Sequence, residues 1–155
     1  AVGGGGVDKR IDVLATAVRA KMSVFDLEEL ELAYAPPFSS AKDPVNLAGF
    51  HAANLLKGDV RCVYWETLQE PDHESTVLVD VRGRAEVREN GEISGAVNIP
   101  INELRDSLDS LDKDKTYAVV CLAGLRSYVG YRILAANGFD CYSLSGGFML
   151  YPGAD

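Results

Sequence analysis

From residue 60 onward, short apolar runs alternate with stretches of helical character, and this alternation constrains the fold more than any other feature of the sequence. The runs are rich in β-branched and aromatic residues and cover residues 62–65, 77–81, 96–99, 117–121 and 141–144. Helices are predicted between them, notably over residues 102–111 and 127–137. Near-continuous apolar strands that alternate with helices are typical of a parallel sheet covered on both faces. The pattern therefore predicts an α/β domain over residues 60–155.

The preceding residues, 1–59, predict helices only. Apolar residues recur at helical spacing over residues 11–22. A capping box that opens at Ser23 predicts a second helix reaching Tyr34. Asp43, followed directly by proline, predicts the start of a third helix. We therefore expect a short all-helical domain before the α/β domain.

Charge and cysteine content narrow the possible partners. The formal net charge of −8 argues against nucleic acid, because phosphate binding needs clustered Lys and Arg. No stretch approaches the ~20 consecutive apolar residues that span a bilayer, so we expect no membrane partner. Three cysteines, Cys62, Cys121 and Cys141, are too few and too unevenly spaced for a disulfide framework or a zinc site. Together with the lack of a signal peptide at residues 1–6, this indicates a reducing, cytoplasmic setting without a bound metal.

One cysteine lies where the predicted fold would place a reactive group. Cys121 ends a predicted strand, and a loop that contains Gly124 connects it to a predicted helix near Arg126. Ligands of open α/β sheets bind at this carboxyl edge. Loop N–H groups, the helix dipole and Arg126 would all favour a thiolate, which predicts an activated nucleophile. The alternative is a small buried residue that merely ends a core strand.

Several separated motifs agree with one known family. They are Asp80-Val81-Arg82, Glu86, residues 95–100, the cysteine loop, Gly138-Phe139 and Ser145-Gly146-Gly147. In this order and spacing they resemble the rhodanese homology domain over roughly residues 60–155. The resemblance implies an α/β sulfurtransferase in which Cys121 carries a persulfide and Arg126 helps to bind an anionic sulfur donor such as thiosulfate, a persulfide or a polysulfide. The loop that would cradle the persulfide consists of Leu122, Ala123, Gly124, Leu125, Arg126 and Ser127.

Three charged residues before the loop are candidates for organising the site. In the family, residues like Asp80 and Arg82 hold the site through hydrogen bonds and ion pairs, whereas the residues alone favour a simple salt bridge or loop cap. Glu86 is predicted to pair with Arg82. Many rhodaneses have a histidine where this chain has Glu92, which weakens the case for a second positive group there.

The helical segment carries a second resemblance, on residues 6–17, 26–27 and 31–46. These residues are similar to the end of a flavin-dependent pyridine nucleotide-disulfide oxidoreductase of the coenzyme A disulfide reductase and NADH oxidase branch, some members of which carry a fused rhodanese domain. The resemblance implies the last part of a dimerisation domain, a homodimer, and a parent enzyme that uses FAD, NAD(P)H and coenzyme A, the last also as thiol acceptor. Tyr34 would contact coenzyme A or a partner subunit, or simply pack where the helix stops. Because no Gly-x-Gly-x-x-Gly follows a strand, we expect no cofactor site in these residues themselves.

Two other functions remain open from the sequence. A rhodanese fold kept only for docking would need no nucleophile, and the intact cysteine, glycine and arginine of the loop argue against it. A phosphatase of related fold would need a loop one residue longer than residues 122–125 between Cys121 and Arg126.

Overall fold

The computed structural model describes residues 2–33, 35, 37, 41–70, 73 and 75–153. The chain divides between Asp59 and Val60 into two compact units. Among the described residues, no helix combines the length and apolar character needed to cross a membrane. The parallel sheet and its helices confirm the predicted α/β class.

The first unit contains the helices α1 (Val7–Arg19), α2 (Val24–Glu29) and α3 (Pro44–Lys57). The capping box is confirmed, since the Asp26 N–H donates to Ser23 Oγ over 3.3 Å and the Ser23 N–H donates to Asp26 Oδ2 over 2.6 Å. The predicted extension of α2 to Tyr34 is wrong, because the helix ends at Glu29. The buried Asn46 amide of α3 donates to the carbonyls of Leu27 and Leu30, and so takes the acceptors that a longer helix would use.

Tyr34, Pro36 and residues 38–40 lie outside the described residues, so the expectation for Tyr34 stays a prediction.

The second unit is built on a five-stranded parallel sheet in the order β1-β5-β4-β2-β3. Its strands are β1 (Cys62–Val63), β2 (Val77–Asp80), β3 (Val97–Asn98), β4 (Thr116–Val120) and β5 (Asp140–Leu144). Its helices are α4 (Trp65–Leu68), α5 (Arg84–Asn90) and α6 (Leu125–Ala136), and short 3₁₀ turns cover Leu108–Ser110 and Phe148–Leu150.

Two predicted elements of this unit differ from the structure. Trp65 begins α4 instead of ending a strand, and its buried indole N–H donates to the Gly147 carbonyl over 2.8 Å. Residues 102–111 form turns and a 3₁₀ segment instead of an α-helix. The hydroxyls of Ser107 and Ser110 bond to nearby backbone carbonyls, a contact that competes with regular helix formation.

The central strand β4 is buried on both faces, and it carries the site. Val119 belongs to the core under α6, while Val120 packs with the opposite core around Trp65. Gly130 lets α6 lie close to β4, because a Cβ there would come within 2.8 Å of Val119 Cγ1. This close packing fixes both ends of the loop that joins β4 to α6.

Candidate active site

Cys121 lies directly after β4, at the carboxyl edge of the sheet, and is 2% exposed. The neighbouring strand β2 ends beside it, with Asp80 in register with Val120, and the Val81 N–H donates to the Val120 carbonyl over 2.8 Å. Because the hydrogen bonds between β2 and β4 continue to the last residue of each strand, the backbone at Cys121 has a defined position. This is the edge at which parallel sheets bind their ligands.

The loop after Cys121 turns a backbone donor toward the sulfur. The Gly124 N–H donates to Cys121 Sγ over 3.1 Å. Gly124 has a φ of 150°, outside the range of ordinary L-residues, so a side chain at this position would strain the turn. The buried Ser127 hydroxyl donates to the Gly124 carbonyl over 2.7 Å and so holds the next peptide group, between Gly124 and Leu125. The predicted residues Cys121, Gly124 and Ser127 are therefore brought together.

The carbonyl groups of the loop are fixed by the segment that follows β5. The Phe148 N–H donates to the Cys121 carbonyl over 2.8 Å, and the Met149 N–H donates to the Leu122 carbonyl over 3.0 Å. Gly147 belongs to a motif of the family resemblance without a predicted role, and Phe148 is a functional residue that the sequence patterns did not predict. A pair of adjacent glycines after a strand was the only signal that backbone packs against backbone there.

Arg126 lies at the start of α6 and forms a two-pronged ion pair with Glu86 of α5. Its Nη1 and Nη2 lie 2.6 and 2.7 Å from Glu86 Oε2 and Oε1. The hydrogen bonds from Arg126 hold the pKa of Glu86 below its ordinary value, and Glu86 in turn raises the pKa of Arg126. The Cys121 thiol makes a smaller contribution to the raised pKa of Arg126. The predicted Glu86–Arg82 pair is wrong, because Glu86 binds Arg126 instead.

Arg82 pairs with Asp80, and this ion pair is buried. Arg82 Nη2 lies 2.7 Å from Asp80 Oδ2 and donates to the Gly91 carbonyl over 2.9 Å. The guanidinium carbon lies 3.8 Å from the ring centroid of Phe148, whose backbone N–H holds the Cys121 carbonyl. Asp80 and Arg82 thus form a buried salt bridge that is linked to the cysteine loop indirectly, through Phe148.

The other two thiols lack the surroundings of Cys121. Cys141 is buried in β5, and this burial raises the pKa of its thiol to about 11, with a further contribution from Asp140. Burial also raises the pKa of Cys62. All three cysteines are free. Among the described residues, no cluster of His, Cys, Asp and Glu could hold a metal ion.

The described glycine run before α1 does not fit a phosphate or a dinucleotide. A Cβ on Gly6 would lie 2.3 Å from Nη1 of Arg10, which donates to the Gly6 carbonyl over 3.1 Å. The space beside the glycine is therefore filled by the chain's own guanidinium, which also pairs with Asp43. A dinucleotide site needs glycine backbone that is open to the pyrophosphate, and here Arg10 occupies the space beside Gly6.

Four exposed apolar side chains lie on the cysteine loop and on the segment after β5 that is hydrogen-bonded to it. They are Leu122, Leu125, Met149 and Leu150, between 37% and 78% exposed; we call them the apolar collar. A cavity of about 710 Å³ beside Trp65 and Tyr151 is lined by neither Cys121 nor any of residues 122–127. Cys121 is therefore not part of that cavity.

Comparison with known proteins supports the fold described above. The model of the rhodanese-like domain matches residues 64–152, more than half of the chain. The crystal structure of reduced Bacillus anthracis CoADR-RHD is 45% identical with a TM-score of 0.88, over 94% of this chain and 26% of that one. The structure of an NAD-dependent persulfide reductase from A. fulgidus is 41% identical with a TM-score of 0.83, over 95% of this chain and 26% of that one.

A curated relative matches a shorter part of the chain. The coenzyme A disulfide reductase of Staphylococcus haemolyticus is 53% identical over 55 residues, which are 36% of this chain and 12% of the reductase. This chain therefore spans about a quarter of the two structural relatives and a smaller share of the reductase. Since the structural match covers nearly the whole chain, it includes the helical unit as well as the sheet, consistent with a fragment of an oxidoreductase fusion. The chain belongs to the rhodanese-like domain family.

Proposed function

We propose that Cys121 carries sulfane sulfur as a persulfide, and that the chain is the sulfurtransferase part of a flavin- and NAD(P)H-dependent reductase of coenzyme A disulfide, persulfide or polysulfide. The observation that carries this proposal is the Gly124 N–H, which points at Cys121 Sγ over 3.1 Å. A donor in this position stabilises negative charge on Sγ, both in the attacking thiolate and in the thiolate that leaves when the persulfide S–S bond breaks. The names of the relatives, a coenzyme A disulfide reductase and an NAD-dependent persulfide reductase, support the same chemistry.

The transfer proceeds in two balanced displacements. The Cys121 thiolate attacks the outer sulfur of a donor R–S–SH, so that a bond forms between Sγ and that sulfur. The donor S–S bond breaks, and RS⁻ leaves with the electron pair, which gives Cys121–S–SH. In the second step a thiolate acceptor such as that of coenzyme A attacks the outer sulfur, and the Cys121 thiolate leaves. Neither step changes the net oxidation state, so no redox cofactor takes part in them.

The residues of the loop hold and stabilise the reacting sulfur. The Ser127 hydroxyl bonds to the Gly124 carbonyl and so restrains the residue whose N–H donates to Sγ. Arg126 lies beside the sulfur and supplies positive charge to an anionic donor and to the leaving thiolate. The bonds from Phe148 and Met149 to the loop carbonyls resist movement of the loop while sulfur is transferred.

The remaining parts of the proposal concern the longer protein. FAD, NAD(P)H and coenzyme A would be held mainly by the rest of the longer protein. The helical unit would be the end of a dimerisation domain and would form a homodimer with a second copy. The three free cysteines support a reducing, cytoplasmic setting.

Mass spectrometry of the whole chain tests the persulfide. After incubation with an organic persulfide or a polysulfide, the wild type should gain the mass of sulfur on the peptide that contains Cys121, and cyanide should remove it as thiocyanate. Cys121→Ser should gain nothing, whereas the matched variant Cys62→Ser should behave as the wild type. If the wild type takes up sulfur from none of the donors, the proposal fails and a docking module without catalysis becomes the better description.

A further inference from the structure

The charge of Arg126 is already partly neutralised before any donor arrives. Both of its terminal nitrogens bond to the Glu86 carboxylate, at 2.6 and 2.7 Å. A small dianion that seeks the same guanidinium must compete with this carboxylate, and the chain as a whole carries a net charge of −8. The pair still leaves N–H groups of Arg126 for a weaker contact with a singly charged group.

The surface around Cys121 favours a different kind of donor. The apolar collar is carried by two segments that backbone bonds hold side by side, from Phe148 to Cys121 and from Met149 to Leu122. Two members of the collar, Leu125 and Met149, are 78% and 69% exposed, so each could bury apolar surface against a bound molecule. An inorganic anion has no apolar surface to offer them.

We propose that Glu86, acting through Arg126, and the apolar collar together select organic persulfides with an apolar chain over small inorganic dianions such as thiosulfate. This inference rests on the proposed sulfurtransferase function. Glu86 is a positioning residue that sets specificity, because it lowers the attraction of Arg126 for doubly charged donors. The collar then supplies the favourable contact for the organic group R of R–S–SH. RS⁻ dissociates after the S–S bond has broken.

The thiosulfate reaction is the matched comparison. There the Cys121 thiolate attacks the outer sulfur of S–SO₃²⁻, the S–S bond breaks, and sulfite leaves with the electron pair. The intermediate is the same Cys121 persulfide, so both donors can be followed by the same mass measurement and by thiocyanate formation with cyanide. Only the leaving group differs, and it is the leaving group that contacts Arg126 and the collar.

Glu86→Gln tests the charge component on the full chain. The amide keeps the shape and one acceptor but removes the negative charge, so kcat/KM for thiosulfate should rise about five-fold, mainly through a lower KM. With butyl persulfide the change should be smaller than about two-fold. The control is Glu103→Gln, since Glu103 also binds an arginine through both carboxylate oxygens, but that arginine is Arg84 and not Arg126. A gain with one donor alone cannot come from structural damage.

Alkyl persulfides of increasing chain length test the collar. In the wild type, kcat/KM should rise from methyl to hexyl persulfide, and Met149→Gln should flatten this rise. Leu56→Gln is the control, because Leu56 is similarly exposed, at 71%, but belongs to α3 of the other unit. The two sets of variants are independent, so a poorly folded Glu86→Gln would leave the chain-length test intact.

The outcomes separate this inference from the function on which it rests. If wild-type Cys121 takes sulfur from no donor, the proposed function fails. If it takes sulfur from thiosulfate as readily as from alkyl persulfides, and neither Glu86→Gln nor Met149→Gln changes the preference, the function stands and the inference is overturned.

Discussion

Gly147 lies so close to Cys121 that a Cβ at position 147 would come within 2.7 Å of the Cys121 carbonyl oxygen and 2.5 Å of the Leu122 carbonyl oxygen. Gly147 also has a positive φ of 58°, and its own carbonyl accepts the indole N–H of Trp65. The segment after β5 therefore packs backbone against backbone on the cysteine loop. The position of the sulfur depends on this contact as much as on β4.

Gly147→Ala should displace the cysteine loop. The collision is with backbone atoms that have little room to move, so we expect a loss of stability of about 3 kcal/mol, more than backbone strain alone would cause. Sulfur transfer should fall roughly ten-fold or more, since small displacements of reacting groups are costly. Urea unfolding can be followed by the fluorescence of Trp65, the only tryptophan of the chain.

Gly146→Ala is the matched control for this prediction. Gly146 also has a positive φ, of 84°, but a Cβ there would meet only the flexible side chain of Leu150. Gly146→Ala should therefore lower the free energy of unfolding by only about 1 kcal/mol, the cost of the backbone strain. Equal effects of the two substitutions on stability and transfer would contradict the role of the Gly147 contact.

Asp80→Asn should destabilise the second unit strongly, because it leaves the fully buried Arg82 guanidinium without its counter-charge. Breaking a buried ion pair from one side typically costs about 3 kcal/mol or more. Glu103→Gln removes one charge from an exposed ion pair with Arg84 and should leave the urea midpoint unchanged. Similar midpoints for both variants would show that the buried pair does not stabilise the fold.

Iodoacetamide at neutral pH should modify Cys121 far faster than the other two thiols. Cys121 has the Gly124 N–H and Arg126 beside its sulfur, whereas burial raises the pKa of both Cys62 and Cys141. Only the thiolate reacts at an appreciable rate. Peptide mass spectrometry of briefly treated native chain gives the three rates, and preferential labelling of Cys141 would refute the assignment of the nucleophile.

Local sequence patterns were sufficient to predict the parallel sheet and the position of Cys121 at the end of a strand. Both predictions depend on consecutive residues, namely the apolar runs of the strands and the glycine loop after Cys121. They failed where a partner distant in the chain decides the outcome. Glu86 pairs with Arg126, forty positions away, although Arg82 is closer in sequence. The end of α2 is set by Asn46 from another helix. Periodicity carries no information on such contacts.

Cys141 should make the second unit less stable at alkaline pH. Its pKa rises from 9.0 to about 11 on folding, so below pH 9 its contribution to stability is fully present in the folded chain. Above pH 9 the unfolded chain loses this proton first, and the contribution is lost as the pH rises through about 11. The loss should amount to about 3 kcal/mol.

Cys141→Ala should therefore reduce the fall of the urea midpoint between pH 9 and pH 11. Some dependence should remain, because the pKa values of Tyr117, Tyr131 and Cys62 are also raised. If the urea midpoint of the variant falls as steeply with pH as that of the wild type, the Cys141 thiol ionises as easily in the folded chain as in the unfolded one.

The helical unit should bring two copies of the chain together. Val18 of α1 and Leu47 of α3 are 78% and 55% exposed, and exposed apolar side chains favour burial against another surface. Sedimentation of the wild type should show a dimer at micromolar concentration. Val18→Glu combined with Leu47→Glu should yield a monomer, because two charges would be buried at the contact. The sulfur content of Cys121 after donor treatment should stay the same in this variant, since neither residue belongs to the second unit. A wild-type chain that sediments as a monomer, with helices as resistant to protease as the second unit, would show that these side chains need no partner.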